Sequence, residues 1–164
     1  MSVYRLIVFL HVISALLFVM AHGISAMMMF MLSRERKYEN ICNYLDISKW
    51  ALMPAMRALE GVLVTGIVLT IWAKWWMMGW IWASLALFVV IGVVMGKYAS
   101  GYMNRIRKAM GSVSARDIKK GIRPEPAPPE VLMRILREGK PKLVASVGLG
   151  GLAMVTMLMV TKPF

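Results

Sequence analysis

The residues with the clearest capacity for chemistry are the only two histidines, His11 and His22, which lie in the apolar stretch from Val3 to Leu32. They are eleven positions apart, so on a helix they would lie about 20° apart around the axis and about 16 Å apart along it. Neutral imidazole is a common ligand of haem iron. Two imidazoles on one helical face, one in each leaflet, would suit an electron path across a membrane. The spacing therefore predicts haem binding by at least one histidine.

The two sides of this predicted helix differ in size and polarity. Beside the histidines lie mostly small or polar residues: Ser14, Ala15, Phe18, Ser25 and Ala26. The opposite side carries large apolar residues: Phe9, Ile13, Leu16, Leu17, Met20, Ile24, Met27 and Met31. An imidazole in hydrocarbon is costly, so we expect the histidine face to be buried and the opposite face to contact lipid. The small residues would leave room for a flat macrocycle.

Further residues complete the predicted haem site. Ser14 is expected to help orient the ring of His11, and Arg57 is a candidate to meet a haem propionate, as an alternative to pairing with Glu60. With one haem bound, we expect His11 to be the ligand and His22 to be a polar packing residue. Two haems would occupy one leaflet each. The second axial ligand would be a methionine or lysine of another helix, or a histidine from a second copy or a different subunit.

Two alternatives to haem binding remain open. In the first, each histidine hydrogen-bonds to a carbonyl of a neighbouring helix and no cofactor is bound. In the second, the thioethers of Met27, Met28, Met29 and Met31 attract Cu(I), which is a soft ion. Consecutive residues spread around a helix, however, so these methionines would not converge on one ion.

The composition sets the class of protein. The 164 residues are 59% hydrophobic, with a mean hydropathy of +0.65 and a formal charge of +12. This is too apolar for a soluble domain of this size. Four long apolar runs predict an all-α, polytopic membrane four-helix bundle forming one domain over residues 1–164. The predicted spans are about 3–32, 54–72, 80–96 and 143–160, separated by polar loops at 33–49 and 97–142.

Local signals refine these elements. Asp46 and Ser48 resemble helix-start residues, which would place Pro54 early in the second helix. Met103, Ile106, Met110 and Val113 recur at helical spacing, which predicts an amphipathic continuation of the third helix. The proline-rich segment 124–129 predicts an extended linker, and Pro129 with Glu130 suits the start of a short helix.

Charge and tryptophan predict the orientation. Residues 97–142 hold twelve Lys or Arg and four acids, and the loop after the first span is also basic. By the positive-inside rule both basic loops face the cytoplasm and both termini face outward. The cluster of Trp72, Trp75, Trp76, Trp80 and Trp82 marks one interface with water. The expected partners are membrane lipids and other membrane subunits or a second copy; no nucleic-acid-binding module is present.

Nothing in the sequence predicts a catalytic centre. It lacks a Ser–His–Asp set, a phosphate loop and a pair of carboxylates within the spans. Glu60 is the one acid in a predicted span, and we expect it to pair with Arg57, three residues earlier. The single cysteine, Cys42, excludes an internal disulfide.

Two short motifs carry a family resemblance. Leu10-His11-Val12-Ile13-Ser14-Ala15 and Ala21-His22-Gly23 resemble segments of a group of four-helix bacterial membrane proteins. The group includes the copper-resistance D family, the haem-binding protoporphyrinogen oxidase of four helices and an uncharacterised predicted integral membrane family. The Gly61-to-Gly66 pattern and the Lys162-Pro163 ending resemble the uncharacterised branch most.

The resemblance implies a prokaryotic cytoplasmic membrane protein with a four-helix fold. In the oxidase the position that matches His11 is a haem ligand, and a lysine in the third span matters for activity. Here that segment reads Trp82-Ala83-Ser84-Leu85, without lysine, which argues against oxidase activity. The leading hypothesis is a haem b protein that carries electrons or serves as a membrane subunit of a respiratory or other redox complex. The alternatives are a cofactor-free accessory subunit and a copper-handling protein.

Overall fold

A computed structural model describes residues 2–112 and 125–163, and over those ranges the chain forms helices and no strands. Four helical stretches are long and apolar enough to cross a membrane: Val3–Arg34, Tyr38–Trp72, Gly79–Ala109 and Pro141–Thr161. The all-α, four-span architecture is confirmed. We call the side with the tryptophans around residues 72–82 the tryptophan end, and the side with the turn at 35–37 the basic end.

Helices α1 (Val3–Arg34) and α2 (Tyr38–Trp72) form a long antiparallel pair. Tyr4 contacts Trp72 at the tryptophan end, with ring centroids 6.3 Å apart. The turn between the helices is held by Glu35, whose carboxylate accepts hydrogen bonds from the backbone N–H groups of Arg36 and Lys37 and from the Asn40 side chain. These bonds lower the pKa of Glu35 to about 2. Their stabilisation is therefore present above the usual carboxyl pKa of 4.5 and is lost as the pH falls through about 2.

The start expected for α2 near Asp46 and Ser48 was wrong. The helix begins at Tyr38, and Pro54 lies well inside it. The residues predicted to form the polar loop 33–49 therefore contribute more than two turns of helix. Ile41 and Leu45 explain the difference, because both are buried against other elements at the basic end and this packing outweighs the polar composition of the segment.

The third apolar helix is continuous with its amphipathic extension. Helix α3 (Gly79–Met95) passes through a π-helical turn (Gly96–Ser100) into α4 (Gly101–Ala109). Met103 and Ile106 are buried, as the periodicity predicted, whereas Val113 lies outside the described residues. After that gap, residues 125–128 are non-helical and α5 (Pro129–Arg137) begins at the expected proline. Pro124 of the predicted linker also lies outside the described residues.

The last span is likewise interrupted by a π-helical turn. It consists of α6 (Pro141–Ala145), the turn Ser146–Gly150, and α7 (Gly151–Thr161). Helix α7 packs along α3, while α6 contacts α1. The α1–α2 pair and the α3–α7 pair therefore meet mainly through the half of the last span that lies toward the basic end.

The main apolar core lies at the basic end, where the amphipathic helices α4 and α5 cover the ends of α1 and α2. Its fully buried side chains include Met29, Leu32, Ile41, Ile106, Leu136 and Val144. Polar contacts close the same region: Tyr102 donates to the Leu136 carbonyl over 2.9 Å, and Arg105 pairs with Glu138. This core fixes the ends of the long helices and so sets how the faces carrying the histidines meet their neighbours.

Candidate functional site

His11 packs against α2 and makes a hydrogen bond across the helix pair. Its Nδ1 atom lies 2.9 Å from Oγ1 of Thr65. The Thr65 hydroxyl in turn donates to the carbonyl of Gly61, one helical turn earlier, over 2.5 Å. The ring of His11 is therefore fixed to α2 through a short relay that ends on a backbone carbonyl.

This relay favours the neutral tautomer of His11 that carries its proton on Nδ1. The Thr65 hydroxyl has a single proton, and the carbonyl of Gly61 can only accept one. With the hydroxyl proton used in the bond to Gly61, the oxygen of Thr65 accepts from Nδ1–H of His11. The neutral ring then has its lone pair on Nε2, in the way that hydrogen-bonded histidines are prepared for metal ligation.

Two glycines of α2 allow this close approach. A Cβ atom at Gly66 would lie 3.3 Å from Cε1 of His11, and one at Gly61 would lie 2.5 Å from Oγ of Ser14. A side chain at Gly61 would displace Ser14, and one at Gly66 would require a slight shift of the His11 ring. His11 hydrogen-bonds to Thr65, whereas Ser14, which we expected to help orient the ring, packs on Gly61.

His22 has a different environment. Its Nε2 atom is buried, has no hydrogen-bond partner among residues 2–112 and 125–163, and faces Gly148 in the π-helical turn of the last span. A Cβ atom at Gly148 would overlap Nε2 of His22 and the methyl group of Met95. An iron-bound macrocycle has no room on the Nε2 side of His22, so this nitrogen does not fit an axial ligand in this packing.

His22 lies beside aromatic side chains and next to helices that contain π-helical turns. Phe18 lies beside it and bridges to Phe88 of α3, with ring centroids 6.1 Å and 5.9 Å away. The two π-helical turns, Gly96–Ser100 and Ser146–Gly150, occur in the helices that carry Met95 and Gly148. Such turns are frequent at functional sites, and here one of them brings a glycine backbone against an imidazole.

The predicted division of α1 into two faces is largely confirmed. His11, Ser14, Ala15, Phe18, His22 and Ser25 are partly buried and Ala26 is buried, while Phe9, Ile13, Leu16, Leu17, Met20, Ile24 and Met27 are exposed. Met31 departs from the prediction, because it packs on the apolar core at the basic end. Met28 and Met29 belong to that core and Met27 faces outward, so the methionine run does not converge on one ion.

Arg57 lies away from both histidines. It pairs with Glu60 over 2.8 Å, as the sequence predicted, and both side chains are exposed on the outer face of α2. Within residues 2–112 and 125–163, no three His, Cys, Asp or Glu side chains form a group that could hold a metal ion. Of the residues assigned to the haem site, His11 and Ser14 share the α1–α2 contact, and His22 and Arg57 lie elsewhere.

The fold and the helix faces define a polytopic integral membrane protein whose histidines sit between helices. The family model described as "Predicted integral membrane protein (DUF2269)" matches residues 5–163, and the chain belongs to this family. No curated protein and no solved structure matches the chain. The relationship of this chain to the copper-resistance D family and to the four-helix protoporphyrinogen oxidase therefore remains a prediction.

Proposed function

We propose that this protein binds haem b through His11 and acts as a membrane electron carrier or as the membrane subunit of a redox complex. The observation that carries the proposal is the relay from His11 through Thr65 to the Gly61 carbonyl. It fixes the ring, holds the proton on Nδ1 and leaves Nε2 as a donor for iron. Ligating histidines commonly have their second nitrogen held in this way.

Each residue of this site would have a defined role. His11 would hold the haem iron, Thr65 would fix the tautomer and orientation of its ring, and Gly66 would let the ring lie close to α2. A haem would supply reversible one-electron chemistry at the iron. Because His22 is turned into the contact with Gly148, the second axial ligand would come from another helix, a second copy or a different subunit.

We place the basic end on the cytoplasmic side and both termini outside, following the positive-inside rule. His11 is seven positions beyond Tyr4, which lies level with the tryptophan end, so it would lie about 10 Å below the outer interface. Single cysteines at Lys140 and Met77, in a Cys42→Ser background, test this orientation. An impermeant thiol reagent added to intact cells should label the Met77 position only; labelling at Lys140 alone would reverse the topology.

The test of haem binding is an absorption spectrum of the protein purified from cells supplied with a haem precursor. A Soret band with sharp α and β bands in the reduced-minus-oxidised difference is the expected result. A colourless protein from cells in which a known b-type cytochrome accumulates its haem would contradict the proposal.

A cofactor-free accessory subunit is the second candidate, and the environment of His22 favours it. That histidine is a packing residue with an unpartnered nitrogen, and Gly61 and Gly148 both serve close helix contacts. Close helix contacts through small residues are sufficient for a subunit whose role is to pack against other membrane helices. The spectrum separates the two candidates, and stoichiometric copper in a metal analysis of the same sample would instead support copper handling.

A further inference from the structure

The outer face of α2 carries a continuous exposed stripe with a seven-residue repeat. Its members are Trp50, Met53, Arg57, Glu60, Val64, Ile67 and Ile71. The apolar members are between 59% and 82% exposed, and the side chains of Arg57 and Glu60 are 78% and 57% exposed. Alternating steps of three and four residues are the signature of a helix that packs along another with a left-handed crossing. The opposite face of α2 already packs on α1, so this stripe is a second packing face.

The charged residues of the stripe lie at membrane depth. Trp50 and Trp72 are 22 positions apart, or about 33 Å along the helix, which is close to the thickness of the hydrocarbon core. Arg57 is then about 10 Å, and Glu60 about 15 Å, from the level of Trp50. Glu60 therefore lies near the midplane of the bilayer.

An ion pair on a lipid-facing surface at this depth is unusual. Ionisable side chains within membrane spans nearly always face the interior of a bundle or a partner, because lipid offers them no hydrogen bonds. Within one copy, Arg57 donates one hydrogen bond, from Nη1, to Oε2 of Glu60. A guanidinium has five N–H donors and a carboxylate two acceptor oxygens, so this pair has capacity for further partners.

We propose that a second copy of this chain packs on the stripe, with the two α2 helices parallel about a two-fold axis along the membrane normal. Both copies insert in the same direction, so the two stripes lie side by side at the same depth and the four charges form one cluster. In a parallel pair of this kind, Arg57 lies beside Glu60 of the partner subunit, about 4.5 Å higher along the helix axis.

The stripe is thus complementary to itself in charge. Each guanidinium lies between the two carboxylates, and each carboxylate between the two guanidinium groups, with no charge left facing lipid. A partner of other composition would have to supply its own acid and base at matching depths, whereas a second copy does so by symmetry. This inference is independent of haem binding, because it rests on the face of α2 that points away from His11.

The charge arrangement gives a complementation test in membranes of cells that express two differently tagged full-length copies. Arg57→Glu makes the cluster wholly acidic, and Glu60→Arg makes it wholly basic. We expect each variant to lose self-association by about tenfold or more, because all four charges of the cluster then have the same sign and no opposite charge offsets their repulsion. Co-expression of the Arg57→Glu copy with the Glu60→Arg copy should restore pairing. Failure to restore it, with both variants inserted and folded, would overturn the proposal.

Disulfide cross-linking provides a second measurement that leaves the charges intact. In a Cys42→Ser background, a cysteine at Val64 should form a dimer of the chain on mild oxidation of membranes. A cysteine at Leu16, on the exposed face of α1, is the matched control and should not. Cross-linking at Leu16 but not at Val64 would overturn the proposal, as would capture of a different polypeptide at Val64 in place of a second copy. Neither measurement depends on haem, so the dimer proposal can fail while the haem proposal stands.

Discussion

The two histidines of α1 lie on the same face of one helix, yet their environments differ in almost every respect. The ring of His11 is fixed by a hydrogen bond at Nδ1 and lies on Gly66 of its antiparallel partner. The ring of His22 has its Nε2 buried without a partner and pressed toward Gly148. A shared helical face therefore does not make two residues equivalent, because each depends on what the neighbouring helix presents at its level.

This difference is why the proposed function gives the two histidines separate roles. A fixed imidazole with a defined tautomer is suited to ligate a metal. A buried imidazole with an unmade hydrogen bond lowers stability unless it serves another purpose. The proposed haem site therefore uses His11 as its ligand, and it leaves His22 to fill space between α1 and the last span.

The largest effect on stability is expected at Gly148. In Gly148→Ala the new Cβ atom would overlap Nε2 of His22 and the Met95 methyl group, so the free energy of unfolding should fall by about 1–3 kcal/mol. Thermal or denaturant unfolding in a mild detergent measures this. Gly150→Ala, in the same turn but with nothing within 4 Å of the added atom, is the control and should change little.

His22→Ala combined with Gly148→Ala sharpens this prediction. Removing the imidazole opens the space that the new methyl group needs, so the double variant should lose less than the sum of the two single changes. If the loss of unfolding free energy in the double variant equals the sum of the two single losses, the contact between His22 and Gly148 does not cause the loss in Gly148→Ala.

A second prediction concerns the relay at His11. Thr65→Val keeps the shape of the side chain but removes the hydroxyl, so affinity for haem should fall about 10- to 100-fold. Titration of the purified apoprotein with haemin measures the change. Thr70→Val is a matched control, because Thr70 makes the same backward bond, to the carbonyl of Gly66, and has no hydrogen bond to either histidine in the described part of the chain. Equal losses in both variants would argue that Thr65 acts through the helix alone.

A smaller effect is expected at Gly66. An added Cβ atom would lie 3.3 Å from Cε1 of His11, a distance that a slight shift of the ring can relieve. Gly66→Ala should therefore cost about 1 kcal/mol or less in stability, and a slight shift in the α band would report displacement of the ring. Gly92→Ala, which meets no atom within 4 Å, serves as the reference.

The smallest change is expected for His22→Leu. Leucine has similar bulk and no unpaired nitrogen, so the unfolding free energy should stay within about 1 kcal/mol of the wild type, or rise. A large loss would show that Nε2 of His22 has a partner that matters for stability, and the contrast between the two histidines would then disappear.

The sequence predicted the class of fold and the faces of α1 because both follow from patterns within single segments. Apolar length identifies the spans, and the period of a helix places His11 and His22 on one side. The sequence also predicted the pair of Arg57 and Glu60, since that pair is local to one turn.

Contacts between helices could not be predicted from the sequence. Thr65 could be recognised only as a hydroxyl residue four positions after Gly61, a spacing that favours a bond back to the carbonyl; nothing in the sequence set it opposite His11. The meeting of Gly148 with His22 joins residues from the first and last spans. The start of α2 at Tyr38 likewise depends on tertiary burial of Ile41 and Leu45 rather than on local start signals.

The most direct test of the central claim is the haem content per polypeptide of His11→Ala and His22→Ala, each purified from the same haem-supplied cells as the wild type. The proposal predicts that His11→Ala loses haem by about tenfold or more while His22→Ala keeps the wild-type amount. Full haem content in His11→Ala, or loss in His22→Ala alone, would contradict it.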